Sequence, residues 1–249
     1  MEDTRLKKNH LSYIETIAMS VAIMAPTAAM ALNVSLMASV SGYSISLVFL
    51  IAMVVIGFVA LSFIKFNQYF STAGSVYTFT TKSLGKKIGF LSGWLLFLTY
   101  LMFTAASSAE TGSFLESFFH FSGFKIPWLP ISIICTIIVW AFSFMDVKIS
   151  TRIMLVFEGI SIALILILSA VVLIKVGTTT GLSTLPFQTN HNSFSTLAQA
   201  VVFGFMSFAG FEGASSLGEE TKNPKKYIPL AIACAVGLTG LFYLLVSYV

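Results

Sequence analysis

Glu212 stands where a charge is expensive. It lies in Gly204-Phe205-Met206-Ser207-Phe208-Ala209-Gly210-Phe211-Glu212-Gly213, an apolar stretch broken by glycines. A second carboxylate, Glu110, lies in Ser107-Ser108-Ala109-Glu110-Thr111-Gly112 within another apolar run. A carboxylate at the centre of a bilayer costs roughly 2.5–3.5 kcal/mol on insertion scales. Such a group must face the protein interior and be paired, hydrogen-bonded or protonated. Desolvation disfavours the charged form of a carboxyl, so reversible proton binding is the chemistry expected of Glu212. For Glu110 two readings stand side by side: a cavity-lining carboxyl among small polar neighbours, or a structural hydrogen bond to a neighbouring helix.

The glycines around Glu212 (Gly204, Gly210, Gly213 and Gly218) and the sequence Met24-Ala25-Pro26-Thr27-Ala28-Ala29 mark two interrupted apolar runs. Glycines can serve close helix packing alone, but that role leaves Glu212 without a reason. Proline inside a helix removes a hydrogen bond and clashes with the preceding turn, costing about 3 kcal/mol or more. An isolated proline reads as a kink, whereas the small residues flanking Pro26 also admit a second backbone or a ligand. Broken helices at membrane depth survive only where they are buried in protein or line a cavity, and transporters place substrates there. The two interruptions lie five helices apart, which is the pattern of an inverted five-helix repeat. A half-helix N-terminus presents free N–H groups and a positive dipole end, suited to a carboxylate. Exposed carbonyls suit an ammonium group. Pro26 has no N–H, so the donors are Thr27 and Ala28. Together these groups form a receptor for the zwitterionic end of an amino acid.

The elements that must position these groups are membrane spans. Hydrophobic residues make up 57% of the chain and charged residues 10%, against about 25% charged in a soluble domain. Seven apolar spans are expected, over about 14–36, 44–64, 89–118, 128–146, 153–174, 197–217 and 228–249. A helix needs roughly 20 residues to cross about 30 Å of hydrocarbon, so the longer first and third spans should tilt or break. Twelve of the 14 basic residues fall in alternate connections: Arg5, Lys7 and Lys8; Lys65, Lys82, Lys86 and Lys87; Lys148 and Arg152; Lys222, Lys225 and Lys226. The positive-inside rule places those segments and the N-terminus in the cytoplasm. The net charge of +4 therefore reflects topology, and no nucleic-acid patch is expected. The first run continues past Ala29-Met30-Ala31, which argues against a cleaved signal peptide. Residues 66–87 are too polar to span and read as a connection with an amphipathic helix near 76–83. There Tyr77 and Phe79 would touch headgroups, and Lys82, Lys86 and Lys87 would attract anionic lipid. Glu15, Glu116 and the Asp146–Lys148 pair read as interfacial.

Three stretches together resemble the amino acid/polyamine/organocation (APC) permease superfamily. They are Ser71-Thr72-Ala73-Gly74-Ser75-Val76-Tyr77 continuing to Gly89-Phe90-Leu91-Ser92-Gly93-Trp94, the Phe208–Gly213 run, and Glu219-Glu220-Thr221-Lys222-Asn223-Pro224-Lys225-Lys226 with Ile228-Pro229. The resemblance covers the chain from Ser12 onward. It implies an all-α membrane protein of the leucine-transporter type, with two inverted five-helix repeats, truncated here after about seven helices. The corresponding divisions are 1–12 for a cytoplasmic N-terminus, 13–175 for the first repeat, 176–196 for an outer loop and 197–249 for the start of the second repeat. By the same resemblance, Ala25, Pro26, Thr27 and Ala28 hold a substrate carboxylate. Met206, Ser207, Phe208, Ala209 and Gly210 hold the ammonium group and shape the side-chain pocket. Glu212 matches a position linked to proton coupling. Glu158, where some members carry a lysine, is either a proton site or a helix-end carboxylate reaching water. Met206 stands where some members place a large aromatic gate, and methionine gives a softer wall. Phe205, Phe208 and Phe211 are either an aromatic lid or ordinary packing.

The function expected is secondary active transport of amino acids across the plasma membrane by alternating access, coupled to protons or to sodium. Amino acid/polyamine exchange, or a truncated fragment or sensor without flux, are the alternatives. An enzyme is not expected, because no nucleophile–base pair stands out and no phosphate-binding glycine loop is present. Cys135 and Cys234 lie in apolar spans, and His10, His120 and His191 are far apart, so neither a metal nor another cofactor is expected.

Overall fold

The computed structural model describes residues 11–70, 72, 74–144, 147–179 and 181–249, without the side chains of residues 147–152. Arg5, Lys7, Lys8, His10, Ser71, Ala73, Asp146 and the side chains of Lys148 and Arg152 lie outside the described residues. In chain order the α-helices are α1 (Tyr13–Met24), α2 (Pro26–Ser41), α3 (Ile45–Tyr69), α4 (Ser75–Leu84), α5 (Lys86–Phe121), α6 (Trp128–Ser143), α7 (Val147–Thr179), α8 (Phe194–Ser207) and α9 (Pro224–Tyr248). Short 3-10 segments cover Leu185–Phe187 and Phe211–Leu217.

Among the described residues, six segments are long and apolar enough to cross a membrane: Tyr13–Ser41, Ile45–Tyr69, Lys86–Phe121, Ile153–Thr179, Phe194–Leu217 and Pro224–Tyr248. The seventh expected span, α6, is apolar but has 16 residues. At 1.5 Å per residue that is about 24 Å, short of the hydrocarbon thickness of about 30 Å. The third span is one continuous helix of 36 residues, so its excess length is not taken up by a break.

The first span does break. Ser12 and Glu15 open α1 with a capping box: the Ser12 N–H and hydroxyl both donate to Glu15 Oε2 at 2.8 Å, and the Glu15 N–H returns to Ser12 Oγ at 3.4 Å. Twelve residues on, α1 stops at Ala25, whose φ of 44° and ψ of 60° are left-handed. That conformation costs an L-residue with a Cβ roughly 1–2 kcal/mol. Pro26 then starts α2 at the position where a missing N–H and a fixed φ suit a helix. The second interruption follows α8. The chain turns through Phe208 and Ala209, reaches φ 93° at Gly210, and continues as the 3-10 segment Phe211–Leu217.

The chain forms two compact units. In the unit made of residues 1–75 and 154–249, α3 packs along α9, α2 against α8, and α1 against α9 and the 3-10 segment. Its core centres on Phe49, Phe208, Ile228, Ile232 and Tyr243, all fully buried. Close approach depends on small residues. A Cβ built on Gly204 would lie 2.9 Å from the Ala52 Cβ, so α8 and α3 touch there. Outside the helices, the Leu11 N–H donates to the Glu220 carbonyl at 2.9 Å and the Lys222 N–H to the Leu11 carbonyl at 3.0 Å. The loop that leads into α8 is tied down by the Asn192 side-chain amide, which donates to the Ser41 carbonyl at 2.9 Å and to Ser44 Oγ at 3.1 Å.

In the unit of residues 76–153, α5 packs on α6. The expected amphipathic helix is present as α4, but Tyr77 is 47% exposed and Phe79 only 4%. Residues two apart on a helix point about 200° from each other. Tyr77 and Phe79 therefore cannot both meet headgroups, and Phe79 takes the buried face.

Two outcomes are expected in detergent-solubilised protein followed by thermal unfolding. Ala25→Gly removes the left-handed strain and stabilises by up to about 1 kcal/mol. Gly204→Val forces α8 and α3 apart and destabilises by about 1–3 kcal/mol.

Candidate functional site at the two helix interruptions

The two interruptions meet. A Cβ built on Gly210 would stand 3.1 Å from the Ile23 carbonyl oxygen, and one on Gly213 would strike the Ile23 side chain. The turn after α8 thus lies directly on the last turn of α1. Only a residue without a side chain fits that approach at φ 93°.

Polar groups hold the junction together. Asn33, seven residues beyond Pro26 on α2, donates through Nδ2 to Ser207 Oγ at 2.9 Å. Ser207 Oγ donates onward to the Phe203 carbonyl at 3.1 Å. The Tyr243 hydroxyl of α9 donates to the Ser207 carbonyl. Its ring stacks on Phe49 with centroids 4.9 Å apart and meets Phe208 edge-on at 5.1 Å. Thr239, one turn earlier on α9, directs its hydroxyl at Met24 Sδ, 3.8 Å away. Asn33, Ser207 and Tyr243 are all buried, so this network is shielded from lipid.

The sequence-derived site residues divide by what they touch. At the first interruption, the Thr27 N–H donates to Glu158 Oε1 at 3.1 Å and the Thr27 hydroxyl to Glu158 Oε2 at 2.9 Å. Glu158 of α7, itself half-buried, therefore reaches the N-terminal end of α2 with both carboxylate oxygens. Pro26 is buried, Ala25 and Thr27 are half-buried, and Ala28 is exposed. At the second interruption, Ser207 and Phe208 are buried, while Met206 is 54% exposed and Ala209 is exposed. The Met206 carbonyl accepts the Ala209 N–H at 3.1 Å, and the Phe208 carbonyl accepts the Phe211 N–H at 3.3 Å. Phe208 and Phe211 pack as core: Phe208 lies against Tyr243, and Phe211 meets Phe63 edge-on at 5.2 Å.

Among the remaining carboxylates, Glu212 is half-buried in the first turn of the 3-10 segment, two residues past Gly210. Glu110 is half-buried on α5, in the other compact unit. Among the described residues no group of three His, Cys, Asp or Glu side chains is placed to hold a metal ion.

Asn33 and Tyr243 were not singled out by the sequence reading, although a signal existed for Asn33. It is an amide in an apolar run, two turns beyond Pro26, and a seven-residue spacing returns to the same helix face. Tyr243 carries no such local cue, because its role depends on where α9 packs. The polar groups of the junction are bonded to one another.

Comparison with known proteins places the chain in a family. The chain is 28% identical over 224 residues to a branched-chain amino acid permease of Bacillus subtilis, covering 83% of this chain and 47% of the relative. It is 27% identical over 201 residues to a low-affinity putrescine importer of Escherichia coli, covering 79% and 44%. It is 27% identical over 224 residues to a methylthioribose transporter of Bacillus subtilis, covering 84% and 47%. The chain thus spans a little under half the length of these relatives. The family pattern described as amino acid permease matches residues 11–249, which include both helix interruptions and the polar junction between them, and on that match the chain belongs to the amino acid permease family.

Proposed function

We propose that the chain is part of a secondary transporter of amino acids or closely related amines in the plasma membrane, with cargo bound where the two helix interruptions meet. The observation that carries this reading is the packing of Gly210 on the Ile23 carbonyl. It brings a half-helix N-terminus and a set of turn carbonyls to one place inside an apolar bundle. A cargo carboxylate is received at the first turn of α2, by Thr27 and Ala28. An ammonium group is received by carbonyls of the Met206–Gly210 turn. Met206, exposed beside that turn, forms a wall of the cargo side-chain pocket, and its flexible thioether accepts varied shapes. The relatives named for branched-chain amino acids and for putrescine support this cargo class.

In this reading the α1–α2 and α8–Leu217 spans are corresponding members of two inverted five-helix repeats, and transport proceeds by alternating access. Glu212 takes up and releases the coupling proton, since alternating access would change the hydration of a half-buried carboxylate beside this turn. Glu110 and Glu158 are the other candidates for proton coupling. The N-terminus lies in the cytoplasm, where the positive-inside bias puts it.

The test is uptake by the native polypeptide reconstituted in lipid vesicles, using radiolabelled leucine and putrescine with an imposed pH gradient. Substrate accumulation that follows the gradient is expected, and Glu212→Gln should abolish gradient-driven accumulation while leaving one-for-one exchange. Full accumulation by Glu212→Gln would remove Glu212 from the coupling. Asn33→Ala leaves Ser207 without its amide donor, and losing a buried hydrogen bond costs about 1–3 kcal/mol. A rise of about fivefold or more in the half-saturating substrate concentration is expected from that loss.

A further inference from the structure

The first turn of α2 has few donors to offer. Pro26 has none, and the Ala29 N–H already bonds to the Ala25 carbonyl at 3.0 Å. That leaves the amides of Thr27 and Ala28, and the Thr27 amide and hydroxyl both point to one carboxylate, that of Glu158. Two convergent donors at a positive helix end are what an anionic carboxylate seeks. Glu158 otherwise sits in a largely apolar setting. It lines a pocket between α1, α7 and α9 whose walls include Ile17, Val21, Leu155 and Ile162. Leaving Thr27 without a replacement would strand a charge among apolar side chains.

We propose that Glu158 is an internal carboxylate that occupies the N-terminus of α2 when cargo is absent, so that a cargo carboxylate and Glu158 compete for Thr27. The proposal rests on the reading of this interruption as the cargo-carboxylate site. It gives Glu158 a positioning role. While it holds Thr27, α7 is fastened to the junction of α1 and α2. When a cargo carboxylate takes the Thr27 donors, that fastening is released, and binding is thereby linked to the freedom of the two half-helices. The apparent affinity for carboxylated cargo is lowered by the fraction of molecules in which Glu158 holds the site. A cargo that lacks a carboxylate does not contend with Glu158.

The test compares ligand pairs that differ only by a carboxylate: leucine with 3-methylbutylamine, and ornithine with putrescine. Equilibrium binding of each is measured on the purified native polypeptide, as wild type, Glu158→Gln and Glu158→Ala. Glutamine keeps the shape of the side chain but removes the charge and one of the two acceptors. Both variants are expected to bind the amino acid of a responsive pair about fivefold or more tightly than wild type, a factor typical of coupled sites. Binding of the matching amine should not change. An unchanged ratio of amino acid to amine affinity, or an equal change in both, overturns the proposal. Hydrogen exchange across residues 25–30, measured on the same ligand-free samples, reads the Glu158–Thr27 bond directly. It should speed up in Glu158→Ala, and unchanged exchange also overturns the proposal. If none of the four ligands binds to wild type, the competition fails together with the cargo site. Faster exchange in Glu158→Ala would then show that the bond exists and that the cargo-site reading was at fault.

Discussion

Hydrocarbon supplies no hydrogen bonds. A helix that stops within it must find new partners for every amide and carbonyl it releases, because each unmet group costs several kcal/mol. This chain stops two helices, and much of the unit containing α1–α3 and α7–α9 follows from that demand. The Ser207 carbonyl, freed at the end of α8, is met by Tyr243. That bond requires α9 to lie alongside, and the position of α9 in turn sets the stacking of Tyr243 on Phe49 of α3. The Thr27 amide, freed at the start of α2, is met by Glu158, which requires α7 to come near. Hydrogen bonding thus selects the helix neighbours, and packing then fixes their separation.

That separation is small where side chains are small. In lipid, apolar side chains gain little by leaving one apolar surroundings for another, so helix association relies on van der Waals fit and interhelical hydrogen bonds. Gly204 against Ala52 and Gly210 against Ile23 are contacts of this kind. The second differs from the first because it seats an irregular turn on the last turn of a helix, α1. It needs both the absent Cβ and the positive φ of Gly210, whereas Gly204 needs only the absent Cβ.

Much of this was legible in the residues. Pro26 among alanines and the glycines around Glu212 marked both interruptions, because each is a local chemical fact. The short helix α4 was readable for the same reason. The face of α4 differs from expectation at Phe79, since residues two apart lie on opposite sides of a helix. The 16-residue length of α6 differs from the longer span expected there, as an apolar run does not announce where its helix starts or stops. The carboxylates show the limit most clearly. The family resemblance marks Glu158 as a proton site or a helix-end carboxylate reaching water, and neither reading names a partner. The partner, Thr27, lies 131 positions away, and no spacing rule links the two. Asn33 and Ser207, 174 positions apart, are hidden for the same reason.

Leu11 bears on how such a bundle moves. Its amide and carbonyl both bond to the segment just beyond the second interruption, at Glu220 and Lys222. The outer end of one half-helix is therefore yoked by backbone to the far end of the other broken span, while their inner ends abut at Ile23 and Gly210. Two levers joined at both ends swing as a single frame. Any tilting of α1 about the Ala25 hinge carries residues 211–222 with it, and neither arm can open alone unless the Leu11 bonds part first.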